Sequence, residues 1–134
     1  MTLSETPLAR ISVADATHTG ILTTDPDTPL TVVARLMAAR RVHVVAVAGE
    51  GEARRPLTIV SALDVATAVA AGAELTAGQA AQTELEAVLA DRPLEEAARL
   101  MAEHRVEHLA VIDPASGHVE GILSALDVAA VFGR

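Results

Sequence analysis

The strongest constraint on this chain is that it spells nearly the same text twice. The stretch from Pro29-Leu30 to Asp64-Val65 lies over Pro93-Leu94 to Asp127-Val128 with one residue dropped. At an offset of 64, Pro29, Leu30, Ala34, Arg35, Leu36, Met37, Ala38, Arg41, Val42, Ala46 and Val47 each meet an identical residue. At an offset of 63, the run Ser61-Ala62-Leu63-Asp64-Val65-Ala66 returns as Ser124-Ala125-Leu126-Asp127-Val128-Ala129. Two copies of one supersecondary unit bury their apolar faces against each other and leave two related clefts at the seam. A function read in one copy is therefore to be sought in the other. The expected division is 1–71 for the first repeat with its N-terminal lead-in and 72–134 for the second with the connecting segment, the two forming one module.

Within each copy the pattern alternates between helical and extended periods. Thr28-Pro29 reads as a helix start, with Thr28 as N-cap and proline at the first helical position. Leu30, Val33, Ala34, Leu36 and Met37 then recur at helical spacing, and Arg40-Arg41 suit the negative end of the helix dipole. The β-branched run Val42 to Ala48 is short and reads as a buried strand. A polar turn at Gly49-Glu50-Gly51-Glu52 and Arg54-Arg55-Pro56 leads to a strand over Leu57 to Val60. Ser61 opens a second helix through Ala70, which stops near Gly72. The second copy predicts a helix from Pro93 to about His104, a strand over Leu109 to Ile112, a turn at Asp113 to Gly117, a strand over Val119 to Leu123 and a helix from Ala125 to about Val131. Short lead strands at Ile21 to Thr24 and Leu85 to Leu89, each after a small helical turn, complete the units. Residues 72–84 connect the copies. A strand-helix-strand-strand-helix order mixes a crossover with a hairpin, so the fold class is α/β (α+β), with a small mixed sheet and helices on one side in each copy.

Composition removes several classes of function. With 134 residues, 51% of them apolar, the chain is long enough and apolar enough for a compact soluble module. No apolar run approaches the roughly 18 residues a membrane span needs, because Asp64, Glu74, Glu84 and Asp127 interrupt the alanine-rich stretches. Met1 to Arg10 lack a basic region followed by an apolar run, so no signal peptide is expected and the cytoplasm is the default location. Zero cysteines exclude a disulfide framework, a thiolate nucleophile and cysteine-ligated zinc. A net charge of −8 and a single aromatic residue, Phe132, argue against nucleic acid as a partner.

The chemistry concentrates where the last strand of each copy turns into its last helix. In Gly121-Ile122-Leu123-Ser124-Ala125-Leu126-Asp127, helix N–H groups and the positive end of the dipole face outward, a geometry that suits an anion. The Ser124 hydroxyl could meet a phosphate oxygen, Asp127 could accept both vicinal hydroxyls of a ribose, and Gly121 would let a ring approach the strand closely. The alternative is structural: Ser-x-x-Asp closely resembles a capping box, which almost any helix can use. Recurrence does not separate the two readings, since a repeat would preserve either.

The element order, the Asp-Pro-Asp-Thr-Pro-Leu lead-in at Asp25 to Leu30, the Ala-Arg-Leu-Met helix in both copies and the Gly-Ile-Leu-Ser-Ala-Leu-Asp ending together resemble tandem CBS domains, over roughly residues 11 to 132. The resemblance implies a Bateman module, in which two β-α-β-β-α repeats pack through their sheets with pseudo-twofold symmetry and adenosine-type nucleotides (AMP, ADP or ATP) bind in the clefts between them. It implies a non-enzymatic regulatory role and a homodimer. No cofactor is required, and the regulated partner is a separate, unidentified chain. Carried over residue by residue, Asp64 and Asp127 hold ribose, Ser61 and Ser124 meet phosphate, and Thr23 matches the lead-strand threonine. His43 takes a middle-strand position near phosphate, and His108 and Gly121 join the ligand-binding set. The departures are that Thr58 replaces the family glycine in copy one, where a β-branched side chain would crowd an incoming ring. Ala87 replaces the lead-strand threonine in copy two, and Ala46 and Ala110 stand where the family usually has proline. These gaps support an alternative, an interaction or dimerisation module with degenerate clefts. S-adenosylmethionine or NAD in the same cleft is a further alternative. Retention of Ser and Asp in both copies favours nucleotide binding, and Gly121 favours the second copy as the occupied one.

No nucleophile with an orienting base is visible, so no catalytic residue is assigned. Glu103-His104 and Glu107-His108 have the right spacing for a metal on one helix face, but the repeat alignment puts His104 at a helix end and His108 in a strand, so no metal site is assigned. His18 and His118 fall in loops. Met37 and Met101 read as core packing.

Overall fold

The computed structural model describes residues 7–17, 22–49, 58–81 and 83–134, and its elements follow the expected order. After a 3-10 turn at Pro7–Ala9 come α1 (Val13–Ala16), β1 (Thr23–Thr24), α2 (Leu30–Arg40), β2 (Val44–Val47), β3 (Thr58–Ser61), α3 (Ala62–Ala71) and α4 (Ala77–Ala80). These are followed by β4 (Thr83–Glu84), β5 (Glu86–Leu89), α5 (Leu94–His104), β6 (His108–Ile112), β7 (Val119–Ser124) and α6 (Ala125–Phe132). The expected polar turn over residues 50–56, His18 and the starts of two strands at Ile21 and Leu57 lie outside the described residues. Among the described residues no helix is long and apolar enough to cross a membrane.

Each repeat builds a mixed sheet. In the first, β1 runs parallel to β2 and β2 antiparallel to β3, and β4 adds a fourth strand antiparallel to β3 that the sequence pattern does not announce. In the second, β5 is parallel to β6 and β6 antiparallel to β7, with a register shift between Val111 and Ile112. Alternation along the strands sends Val45, Val47 and Val60 into one core with Leu30, Val33 and Met37 of α2 and Ala68 of α3. Leu109, Val111 and Leu123 likewise enter the other core with Leu94, Ala97 and Met101 of α5 and Val131 of α6.

The compact units divide the chain differently from the expected boundaries at 1–71 and 72–134. One unit joins residues 1–21 to 86–134, and the other is 22–85. The lead-in of each repeat thus completes the other one, and backbone hydrogen bonds show how. In place of the expected Thr28 cap, Pro29 is the N-cap of α2 and Pro93 that of α5, and neither has a side-chain cap. The first helical N–H of α2, on Leu30, donates to the carbonyl of Leu75 at 2.9 Å, and that of α5, on Leu94, donates to Ile11 at 2.8 Å. Two donors return: Ala77 N–H reaches the Thr28 carbonyl at 2.7 Å, and Val13 N–H reaches Arg92 at 2.8 Å. The short helices that bring these groups are capped by Ser12 and Thr76, the latter in a capping box with Gln79. Close approach fixes one residue type here. A Cβ on Gly78 would stand 2.9 Å from Cβ of Pro26, whose carbonyl accepts the Gly78 N–H at 2.8 Å.

Both long helices end on a strained residue. Arg41 and Arg105 each have φ near 54°, the left-handed conformation in which an L residue pays about 1 kcal/mol relative to glycine. Arg41→Gly and Arg105→Gly should each raise stability by up to about 1 kcal/mol, a gain of a few degrees in calorimetric Tm. An unchanged or lower Tm would show that the arginine side chain compensates for the strain.

Candidate functional site

Both strand-to-helix turns form complete capping boxes. In the first copy Ser61 N–H donates to Oδ2 of Asp64 at 2.8 Å, and Asp64 N–H donates to Oγ of Ser61 at 3.1 Å. In the second, Ser124 N–H donates to Oδ2 of Asp127 at 2.8 Å, and Asp127 N–H donates to Oγ of Ser124 at 3.2 Å. The following residue is also engaged, since Ala62 N–H meets the His43 carbonyl and Ala125 N–H the Glu107 carbonyl, both at 2.8 Å. The structural reading of Ser-x-x-Asp therefore holds in both copies. Most opening donors that the anion reading assigned to a ligand already have acceptors within the fold.

The two turns are not equivalent in access. Asp127 is only 4% exposed, while Asp64 is partly open. The Ser124 hydroxyl donates to Oδ2 of Asp127 at 3.0 Å, a bond that has no counterpart at Ser61. In the first copy the serine hydroxyl keeps its proton for another acceptor. In the second it points back into its own cap.

Strand register places the remaining predicted residues. Thr23, Ala46 and Ile59 stand side by side, as do Ala87, Ala110 and Ile122. Pleating puts these rows on the sheet face opposite the helices, because Val45, Val47, Val111 and Leu123 occupy the helix side. Thr23 and Ala87 are thus true equivalents, and only the first carries a hydroxyl. Ala46 N–H donates to the Leu22 carbonyl at 2.9 Å, a ladder bond that proline could not make. Thr58 pairs with Val47 and Gly121 with Val111, both core valines, so these positions alternate onto the helix side of their sheets.

The histidines also separate. His43 stands one residue before β2, exposed, and its counterpart in the second copy is Glu107. His108 is the first residue of β6, half-buried opposite Ser124, and its counterpart is Val44. His104 ends α5 and pairs with Glu86, Nδ1 to Oε1 at 3.1 Å, so it does not join His108 on a helix face. Among the described residues no cluster of three or more His, Asp or Glu side chains is placed to hold a metal ion. Met37 and Met101 are buried in the cores as expected.

Burial pushes the His108 pKa below its usual value, against the opposing pull of Glu107 and Asp127. The folded chain therefore disfavours the charged imidazole. Its contribution to stability is whole above the unfolded pKa of about 6.5 and is lost as pH falls below it. Thermal unfolding between pH 7.5 and 5 should show a larger loss of Tm for the native chain than for His108→Gln. Parallel curves would remove His108 as the cause. Loss of a cap costs about 1 kcal/mol, so Ser61→Ala and Ser124→Ala should each lower the chemical-denaturation midpoint without changing its slope.

A family model for the CBS domain matches residues 13–71 and again residues 77–134. Among solved structures, a CBS domain protein from Pyrobaculum aerophilum complexed with AMP is 25% identical, with 87% of this chain and 89% of that one covered and a TM-score of 0.75. A CBS domain pair in complex with 5′-methylthioadenosine and S-adenosyl-L-methionine is 19% identical over 92% of this chain and 96% of its own, with a TM-score of 0.77. Hypoxic Response Protein I, with two coordinated zinc ions, is 24% identical over 90% and 98%, with a TM-score of 0.72. The last two are likenesses of fold. No protein of curated function matches the chain.

Proposed function

The chain belongs to the CBS-domain family, of which it carries two copies, and from that premise we propose that it is a non-enzymatic regulatory module that binds an adenosine-type nucleotide. The observation that carries this reading is the first copy's turn, where Asp64 is partly open and the Ser61 hydroxyl, which accepts the Asp64 N–H, does not also donate to the Asp64 carboxylate. In this reading the Asp64 carboxylate accepts the ribose hydroxyls, Ser61 donates to the phosphate, and Thr23 offers the lead-strand hydroxyl that Ala87 lacks. Occupancy thus favours the first copy over the second. The adenosine ligands of two related structures, AMP in one and 5′-methylthioadenosine with S-adenosyl-L-methionine in the other, support the ligand class. A net charge of −8 disfavours polyphosphate, so AMP ranks ahead of ADP and ATP. The module acts as a homodimer and passes its bound state to a regulated protein.

A second reading, an interaction module with unused clefts, is favoured by the capping boxes that already occupy most helix-opening donors. A thermal-shift panel of AMP, ADP, ATP, S-adenosylmethionine and NAD separates the two. Ligand at about 100 times its dissociation constant stabilises by about 2.7 kcal/mol, several degrees for a chain of this size. AMP should shift the native chain and Asp127→Ala but not Asp64→Ala, each compared with its own ligand-free Tm because either change also breaks a cap. No shift with any of the five would leave the interaction reading. A shift lost only in Asp127→Ala would move the site to the second copy.

A further inference from the structure

Identical hexapeptides give the two turns the same capping box but different access, so the cause lies in what flanks them. On the strand beside each turn the residues that differ in chemistry form a dipeptide, His43-Val44 in the first copy and Glu107-His108 in the second. Both pairs are tied to their turn through the backbone. The carbonyls of His43 and Glu107 accept the N–H that follows the cap serine, and Val44 and His108 stand directly opposite Ser61 and Ser124. The second position of the pair governs reach. Side chains directly opposed on an antiparallel pair share one face, with Cβ atoms about 5 Å apart. In the second copy that face is the one away from Leu109 and Leu123 in the core. Valine ends one bond past Cβ, whereas an imidazole is long enough to cross to the facing hydroxyl and its carboxylate. His108 is half-buried and lies within electrostatic reach of the Asp127 carboxylate, which is 4% exposed. Beside Val44, the Asp64 carboxylate stays partly open.

The first position of the pair governs charge. Burial outweighs the pull of Glu107 and Asp127 on the His108 ring, so at neutral pH the ring is uncharged. The second turn is left with the carboxylates of Glu107 and Asp127, where the first has Asp64 alone. Other charges on these elements do not offset the difference. Arg41 and Arg105 recur as helix caps, and Arg40 has as its counterpart His104, already paired with Glu86. Glu84 and Glu120 stand beside the far ends of β3 and β7. A phosphate approaching the second turn therefore meets a carboxylate where the first turn presents the exposed His43 imidazole.

We propose that this dipeptide decides which copy accepts a phosphorylated nucleotide. Glu107-His108 closes the second turn, the ring by covering Asp127 and the carboxylate by repelling phosphate, and His43-Val44 leaves the first turn open. The inference rests on the nucleotide reading above for its ligand, but the closure is a property of the free chain and is read without one.

Carboxylate labelling reads access directly, because a chain without lysine offers a carbodiimide and added glycinamide no competing side-chain amine. In the free native chain, peptide mass spectrometry should find Asp64 labelled faster than Asp127. His108→Val should raise Asp127 to the Asp64 rate, and Val44→His should slow Asp64. Each variant takes the residue its twin carries, and circular dichroism checks that it folds. An Asp127 rate unmoved by His108→Val would overturn the closure. Calorimetric titration with AMP then reads the choice of copy. The native chain should bind at the first copy only, and Val44→His should weaken that binding by about tenfold or more. Glu107→His combined with His108→Val should add a second site. A single site in that double variant would overturn the role in ligand choice, and AMP binding lost in His108→Val would make the ring a ligand contact and overturn the proposal. Labelling that follows the exchange in a chain that takes no AMP would overturn the nucleotide reading and leave the closure standing.

Discussion

Two backbone hydrogen bonds hold the start of the long helices, and the rest of each repeat is arranged around them. With proline at both N-caps, α2 and α5 have no side chain to satisfy their opening donors, so Leu30 N–H and Leu94 N–H find carbonyls on separate segments. An unsatisfied donor at a buried helix start costs about 1–3 kcal/mol, and both leucines are core residues. The partners, Leu75 and Ile11, precede short helices whose own caps, Thr76 and Ser12, aim the chain back toward the long helix. The sheets follow, because a helix fixed at its first turn delivers its apolar stripe onto the strands at one register.

Much of this could be read from residue pattern, and for a physical reason: the strand-helix-strand-strand-helix unit is written twice. Strand and helix limits fall within a residue or two of the observed ones because apolar spacing in one copy is checked by the other, and Ser-x-x-Asp announces its capping box. What could not be read depends on contacts remote in sequence. Nothing in Pro7 to Ser12 says that it completes the second repeat rather than the first. The left-handed arginines are equally hidden, since Arg40-Arg41 at a helix end looks like a favourable match to the dipole, while the second of the pair bears backbone strain. β4 is two residues long and shows no alternation to detect.

The site shows the same limit more sharply. Asp64 and Asp127 sit in identical hexapeptides, yet one is partly open and the other nearly buried. Local text determined their two capping-box bonds, which match to within 0.1 Å, and had no bearing on their access, which is set by what surrounds each turn. The facing of Thr58 and Gly121 was hidden for a related reason. A strand residue faces one side or the other by its pairing partner, Val47 for Thr58 and Val111 for Gly121, and sequence alone does not name that partner.

The exchange of lead-ins also bears on how such a chain could arise. A precursor with one repeat would carry its own lead-in but lack the segment that holds its first helix, so two molecules would have to trade these arms to complete each other. Gene duplication with fusion would convert that swapped pair into a single chain while keeping every bond. It would also free the two halves to diverge, since a change in one no longer appears twice in the assembly. A turn nearly closed in one repeat and partly open in the other is the kind of asymmetry that fusion allows.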